Sequence, residues 1–228
     1  MMPSLPQANA FSFVRCYLCD SLIYAKQSLC PVCLQAIADS EFNLNWQDIL
    51  LRPDANRMLK VTELNSIYCW YEYQQPFDFL IPKMKYQANP IAKACLKHLI
   101  QFNLAELYKQ VKDDYDEFVP TPLHWFKYYR RGFNQAQWLA EQLKLNMPQL
   151  TDCSRLKYTK QQAKLSGKKR LDNVKNAFSV KANLAGKRIL IIDDVVTTGA
   201  TLDAFAKTLK QAGAVNVSAI CLCWAKLT

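Results

Sequence analysis

The segment that most constrains the fold is Arg188–Leu202, which reads RILIIDDVVTTGATL. Its first part, Arg188–Ile192, is a continuous apolar run, the pattern of a strand that is covered on both faces in a parallel sheet. Two adjacent acids, Asp193 and Asp194, come next, followed by a short Thr-Thr-Gly loop and the start of a helix. Because ligands of open α/β sheets bind outside the carboxyl ends of the strands, this segment predicts a ligand site.

The residue types in this loop indicate a sugar phosphate. Thr197–Thr201 can direct backbone N–H groups and hydroxyls at one phosphate, and the following helix adds its positive N-terminal dipole. Gly199 permits close approach of the backbone. The two carboxylates suit hydrogen bonds from vicinal hydroxyls, so the segment describes a ribose 5-phosphate site. The alternative is an ordinary strand-to-helix turn, in which Asp and Thr are common capping residues.

Strands and helices alternate along most of the chain, which predicts an α/β fold with a doubly wound parallel sheet. The predicted strands are Glu117–Thr121, Leu150–Leu156, Arg188–Ile192 and Val215–Cys223. The predicted helices are 90–109, 134–145 and 201–212, with Asn89 and Asn134 as N-caps and Gln137 completing a capping-box variant.

Two earlier stretches have weaker patterns. The apolar runs Leu64–Tyr73 and Phe77–Ile81 flank a Gln-Gln-Pro turn and are interpreted as a β-hairpin. Residues 40–60 are interpreted as a polar connector. The chain is therefore predicted to divide into a small module, residues 1–45, and a larger domain, residues 60–228.

The small module contains two CxxC pairs, Cys16 with Cys19 and Cys30 with Cys33. Two such pairs can bring four thiolates to one tetrahedral Zn²⁺ at about 2.3 Å each, so we expect a structural zinc site. A module this short cannot bury enough apolar surface alone, and metal would supply its folding energy. A redox-active CxxC pair and a chance spacing remain as alternatives.

The net charge of +10 suggests an anionic partner. His124–Phe133 mixes aromatic and cationic side chains, and Lys157–Lys175 holds seven Lys or Arg residues and one acid. Aromatics that stack on unpaired bases, with cations along the backbone, are typical of single-strand binding. The alternative is that the aromatics are core residues and the lysines form a solvated lid. His98 and His124 are interpreted as peripheral to the chemistry.

The sequence lacks an apolar run of about 18 residues, and its N-terminus lacks the pattern of a signal peptide. No transmembrane segment is therefore expected. We predict a cytoplasmic protein, with a peripheral location at the inner face of the membrane as the alternative.

The stretch IIDDVVTTGAT resembles the signature of type I phosphoribosyltransferases, which bind 5-phosphoribosyl-1-pyrophosphate (PRPP). In that family the two acids hold the ribose hydroxyls and the TTG-type loop holds the 5-phosphate. Ala200 stands where many members carry Gly. The residues that the resemblance implies for PRPP binding are Asp193, Asp194, Val195, Val196, Thr197, Thr198, Gly199, Ala200 and Thr201.

A second stretch, Val119–Ala140, resembles the VPxP…RGFNQ segment of the ComF/GntX branch, which is linked to DNA uptake and competence. The resemblance implies that pyrophosphate binds at the loop containing Arg130, Arg131 and Gly132. It also implies a flexible lid over PRPP at Leu156–Phe178. The residues so implied in catalysis are Arg130, Arg131, Lys169 and Arg170.

Three functions follow from these resemblances. The first is an enzyme that transfers phosphoribosyl from PRPP to an unidentified acceptor, with Mg²⁺ neutralising the leaving pyrophosphate. The second is a DNA-uptake factor that binds single-stranded DNA and partners of the competence machinery. The third is a PRPP sensor without catalysis.

Overall fold

The computed structural model describes residues 13–24, 27–111, 115–157 and 177–226. The strands are β1 Phe13–Arg15, β2 Leu22–Tyr24, β3 Asn43–Asp48, β4 Ile67–Glu72, β5 Glu117–Pro120, β6 Cys153–Arg155, β7 Phe178–Val180, β8 Arg188–Val196 and β9 Asn216–Trp224. The helices are α1 Pro31–Ala38, α2 Pro53–Met58, α3 Phe77–Gln87, α4 Pro90–Phe102, α5 Leu104–Gln110, α6 Trp125–Arg131, α7 Gln135–Leu143 and α8 Ala200–Gln211.

The main sheet has five strands in the order β3-β4-β9-β8-β5. Strands β4, β9, β8 and β5 are mutually parallel, whereas β3 runs antiparallel to β4 at one edge. Asp193 of β8 is in register with Cys221 of β9. The parallel α/β architecture predicted from the sequence is thus confirmed, and the carboxyl ends of β4, β9, β8 and β5 meet at one edge.

Each face of the sheet has its own hydrophobic core, and β8 contributes to both. Leu190 and Ile192 pack on the face covered by α3, α4 and α7, whereas Ile189 and Ile191 pack on the face covered by α2 and α8. All four side chains are fully buried. This alternation explains the continuous apolar run in the sequence, because a strand covered on both faces has no solvent-facing positions.

The predicted hairpin over residues 64–81 is wrong in its second half. The first run does form β4, but Phe77–Ile81 is the first part of α3. The helix buries Phe77, Leu80, Ile81 and Met84, which have the spacing of one helical face. The prediction failed because it considered only five residues, too few to distinguish a buried helix from a strand.

The predicted connector over residues 40–60 is also wrong. Asn43–Asp48 forms β3 and residues 53–58 form α2, with Leu44 and Trp46 buried. The division of the chain into modules of residues 1–45 and 60–228 remains a prediction.

The helix caps agree with the sequence. The Asn89 side chain accepts hydrogen bonds from the Ile91 and Ala92 N–H groups, and Asn134 accepts one from Ala136. The helix predicted over 90–109 is interrupted at Asn103, which separates α4 from α5. The remaining capping-box residue, Gln137, exchanges hydrogen bonds with the Gln149 side chain.

The four-cysteine module consists of the β1–β2 hairpin and α1, and it packs against α3. The Lys83 ammonium donates a hydrogen bond to the Tyr17 hydroxyl at 3.1 Å, and the rings of Tyr17 and Phe79 lie 6.5 Å apart. Cys16 and Leu34 belong to the same core as α3 and α4. The module therefore shares its apolar core with the sheet.

Within the four described ranges, no helix combines the length and the apolarity that crossing a bilayer requires.

Candidate active site and metal centre

The central feature of the site is the carboxylate pair at the end of β8. Asp194 is 7% exposed and Asp193 is partly buried. The Asp194 N–H donates a hydrogen bond to Asp193 Oδ1 at 2.9 Å. This bond holds the Asp193 carboxylate beside the backbone of Asp194. Burial, together with the negative charge of Asp194, raises the pKa of Asp193 to about 7.

A lysine that the sequence analysis did not single out completes this pair. Lys85, near the C-terminal end of α3, forms an ion pair with Asp194, and the two side chains are only 17% and 10% exposed. Burial alone would lower the pKa of Lys85, but the charge of Asp194, its hydrogen bond with Lys85 and the charge of Asp193 together outweigh burial and raise it. Lys85 is therefore held as a cation against the carboxylate pair.

Three further cations form a group in which Lys127 and Arg155 interact with Asp193, and Arg131 interacts with Lys127. Lys127 and Arg131 lie on α6, and Arg155 lies on β6. Burial, reinforced by the positive charges of Arg155 and Arg131, lowers the pKa of Lys127 to about 8. Burial also lowers the pKa of Arg155, against the opposing charge of Asp193. A group of cations that repel one another in this way suits the binding of an anion with several negative charges.

The predicted catalytic arginines take different positions. Arg131 lies with its guanidinium carbon 5.1 Å from the centre of the Tyr86 ring, and Arg130 is exposed. Gly132 ends α6 with φ +76°, a left-handed conformation that favours glycine. Lys169 and Arg170, together with most of the predicted lid, lie outside the described residues.

The predicted phosphate loop joins β8 to α8 as expected. Gly199 is the N-cap of α8 with φ +76°. Because glycine has no side chain, the N–H groups of the first turn receive no hydrogen bond from a capping side chain. The Ala200 N–H has a long contact of 3.5 Å to Thr198 Oγ1. The first turn of this 12-residue helix thus faces a loop of small and hydroxylated residues, the arrangement that suits an anion.

The side chains of Val195 and Val196, which the resemblance assigns to PRPP binding together with the loop, pack in the hydrophobic cores. Val196 is buried in the core beneath α8, and Val195 packs partly against the opposite core. Their backbone connects the two carboxylates to the loop.

A segment far away in sequence covers the loop, and we call residues 59–63 the strap. The Lys60 N–H donates a hydrogen bond to the Thr198 carbonyl at 3.1 Å. Both the Thr62 and Glu63 N–H groups donate to Asp203 Oδ1 at 2.7 Å. The strap is therefore tied both to the phosphate loop and to α8.

The four cysteines converge as the two CxxC pairs predict. Their Sγ atoms all lie within 4.8 Å of one another, and the sulfurs of Cys19 and Cys30 are 3.6 Å apart. A tetrahedral ion with 2.3 Å bonds requires sulfurs about 3.8 Å apart. The Cys30 and Cys33 N–H groups also donate to Cys16 Sγ and Cys30 Sγ at 3.3 Å. The cluster can therefore hold a metal ion.

Helix α6 presents aromatic side chains to solvent. Trp125, Tyr128 and Tyr129 are 71%, 54% and 83% exposed, at helical spacing on the side away from Lys127 and Arg131. His124 is buried and its Nδ1 accepts a hydrogen bond from the Phe126 N–H, so it caps α6. The alternative that these aromatics belong to the core does not hold for the three exposed rings.

Residues 129–227 match the family model described as the phosphoribosyl transferase domain. Competence protein F of Haemophilus influenzae is 30% identical over 220 residues, which cover 92% of this chain and 96% of that protein. The chain belongs to the competence protein F family. DNA utilization protein YhgH of Salmonella typhimurium is also 30% identical, over 91% of this chain and 89% of that protein.

Among solved structures, the purine phosphoribosyltransferase of Pyrococcus horikoshii is similar, with 22% identity over 54% of this chain and 68% of that one. The TM-score is 0.32, so nothing further is drawn from this likeness. The competence protein F family and the phosphoribosyl transferase domain both agree with the resemblances seen in the sequence.

Proposed function

We propose that this competence protein F family member binds PRPP at the carboxyl end of β8 and acts in DNA uptake. One observation carries the proposal. A carboxylate pair, Asp193 and Asp194, lies between a loop suited to a phosphate and three cations whose own charges repel one another. A ligand that combines a diol with two separate phosphate groups matches all three parts.

Each part of PRPP then has its own residues. The ribose hydroxyls donate to Asp193 and Asp194, and the 5-phosphate binds the loop of Thr197–Thr201. The diphosphate lies against Lys127, Arg131 and Arg155. Mg²⁺, bound with PRPP, would neutralise part of the diphosphate charge. Lys169 and Arg170 stay proposed as lid residues.

The reaction that this site supports is transfer of the phosphoribosyl group. The bond between ribose C1 and the diphosphate oxygen breaks, its electron pair leaves with the diphosphate, and an acceptor forms the new bond at C1. The chain contributes mainly by orienting PRPP and by meeting the developing negative charge with fixed cations. The acceptor is not assigned, and a PRPP sensor without transfer would use the same residues.

Calorimetry with PRPP and Mg²⁺ tests the binding site. Replacing Asp193 and Asp194 together by Asn should weaken binding at least about 100-fold, because hydrogen bonds to charged groups contribute about 1.5–3 kcal/mol each. Asp116→Asn is the matched control, since Asp116 pairs with Arg188 at the opposite end of β8. Unchanged affinity in the double variant would refute the assignment. Release of diphosphate on adding an acceptor would separate a transferase from a sensor.

The names of its relatives refer to competence and to DNA utilization, and helix α6 supports a role with single-stranded DNA. The exposed rings of Trp125, Tyr128 and Tyr129 can stack on unpaired bases, and Arg130, which is exposed on the same helix, can contact phosphates. The net charge of +10 favours the same partner. DNA entering in uptake would meet this surface close to the PRPP site.

A salt titration tests this second function. Single-strand affinity should fall with a slope of about −0.7 per contacted phosphate in a plot of log affinity against log salt. Trp125→Ala with Tyr129→Ala should weaken binding by roughly tenfold or more, since stacking contributes about 1–3 kcal/mol per base. Phe102→Ala, an exposed aromatic at the end of α4, should change nothing. Equal losses in both variants would argue against an α6 platform.

We also propose that the metal of the cysteine cluster is Zn²⁺ in a structural role, because four thiolates fill its tetrahedral coordination. A cytoplasmic location, with peripheral attachment at the inner face of the membrane as the alternative, fits a protein that meets both PRPP and incoming DNA.

A further inference from the structure

Lys85 occupies a position that a structural role alone does not explain. It follows Met84, the last buried residue of the apolar face of α3, and reaches Asp194 from a different layer of the fold. A buried ion pair is often no more stabilising than apolar side chains of similar size. Stability alone therefore does not explain an ammonium group at this position, and we look for its role at the carboxylates.

The carboxylates themselves supply the reason. Two partly buried acids at adjacent positions repel each other, and PRPP binding as proposed requires both to accept hydrogen bonds as anions. Protonation of Asp193 would remove one acceptor and add a donor. The only ion pair with Asp193 or Asp194 among the salt bridges of the described residues is that of Lys85.

Other charged or titratable groups, on other elements than α3, also interact electrostatically with Asp193 or Asp194. They are Lys127 of α6, Arg155 of β6, the Cys221 and Cys223 thiols of β9, and the Tyr73 hydroxyl that follows β4. Burial raises the pKa of both thiols and of the tyrosine, so these three groups stay neutral near pH 7. The two cations face the proposed diphosphate, which will neutralise them when PRPP binds.

We propose that Lys85 is a positioning residue that holds Asp194 in place and keeps the Asp193–Asp194 pair ionised for the ribose hydroxyls of PRPP. This inference rests on the proposed function. Lys85 forms its ion pair with Asp194 itself, so its charge stays beside the acids after the diphosphate has bound.

The test compares three variants by calorimetry with PRPP and Mg²⁺ between pH 6 and 9. Lys85→Met removes the charge and keeps the length, Lys85→Arg keeps the charge, and Lys83→Met removes a cation from the same helix that contacts Tyr17 instead. In the unaltered chain, affinity should rise with pH through about 7, where Asp193 loses its proton. Lys85→Met should move this midpoint upward by about one pH unit, which weakens binding at pH 7 by about fivefold and at pH 6 by nearly tenfold.

Lys85→Arg should stay close to the unaltered chain, and Lys83→Met should keep its pH profile. The inference is overturned if Lys85→Met binds PRPP with unchanged affinity and midpoint, or if it loses affinity equally at every pH. In the second case Lys85 contacts the ligand or supports the fold and does not act through the acids.

Two further measurements cover failure of folding and failure of the proposed function. Asp194→Asn with Lys85→Met leaves no unpaired charge at position 194 and should bind PRPP much as Asp194→Asn alone does; an additional tenfold loss would contradict the inference. Carbon-13 NMR of aspartate carboxyls without ligand should show Asp193 titrating at higher pH in Lys85→Met. If no chain binds PRPP, the proposed function fails, whereas this titration still decides whether Lys85 keeps the acids ionised.

Discussion

Two ionisable groups of the site have pKa values shifted toward neutrality from opposite directions. Asp193 is raised to about 7 because burial and Asp194 disfavour its anion, and Lys127 is lowered to about 8 because burial, Arg155 and Arg131 disfavour its cation. A ligand with a diol and a diphosphate reverses both shifts, since the diol stabilises the anion and the diphosphate stabilises the cation. The site is therefore poised to exchange protons when PRPP binds.

Lys127 leads to a pH prediction. Its charged form predominates below pH 8 and is lost above it, so PRPP affinity should fall as pH rises from about 7.5 to 9. Binding at pH 8.5 should take up a proton, which calorimetry in two buffers of different ionisation enthalpy measures. Lys127→Arg stays charged throughout and should abolish both the uptake and the fall. Persistence of the uptake in this variant would place the proton on another group.

The strap and the phosphate loop are distant in sequence but pack against each other, and the conformation of the loop depends on this contact. A Cβ on Gly199 would overlap Val61 Cγ1, so a side chain there requires the strap to move. The strap comes from residues 59–63, and Asp203 of α8 ties it down. The loop therefore depends on a segment that lies mostly beyond the predicted connector over residues 40–60 and that the sequence analysis assigned to no helix or strand.

Gly199→Ala should weaken PRPP binding and lower stability more than Gly186→Ala does. Both glycines have φ +76°, so both substitutions incur the left-handed backbone cost of about 1–2 kcal/mol, but a Cβ at Gly186 would meet nothing within 4 Å. Adding Val61→Ala to Gly199→Ala should restore part of the loss. Thermal unfolding and calorimetry check this, and equal effects of the two single substitutions would mean that the strap yields without cost.

In the whole molecule, α3 connects the cysteine cluster to the carboxylates. Its Lys83 contacts Tyr17 of the module, and its Lys85 contacts Asp194. As far as residues 13–24 and 27–38 show, the module shares its core with the sheet, because Cys16 and Leu34 lie in the cluster that also contains Leu190. Loss of metal should therefore affect more than the first residues of the chain.

Purified protein should contain about one Zn per chain by elemental analysis. Removing it by chelation, or by Cys19→Ser, should lower the unfolding temperature of the whole chain, at about 2–4 °C for each kcal/mol lost. PRPP affinity should fall too, because α3 would lose its packing partner. Cys153→Ser, a cysteine outside the cluster, is the control. An unchanged unfolding temperature in the metal-free chain would show that the module is dispensable for stability.

The sequence alone was sufficient for the parts of the site that are contiguous in the chain. The predicted β8–loop–α8 segment and the predicted convergence of the four cysteines agree with the structure. Local spacing in the sequence is enough to determine a strand, a turn, the start of a helix and two CxxC pairs. The assignments of individual residues to PRPP, and of Lys169 and Arg170 to a lid, remain predictions.

What only the tertiary structure decided are the contacts between distant segments. The strap meets Asp203 across 141 positions of sequence, and Lys85 meets Asp194 from a helix whose first five residues were predicted as a strand. Periodicity in a short apolar run indicates burial without indicating which element forms or what its polar neighbours face. Packing of α3 on the sheet selects the one lysine that reaches the carboxylates, and that choice is made by the combined geometry of several elements rather than by any one stretch of sequence.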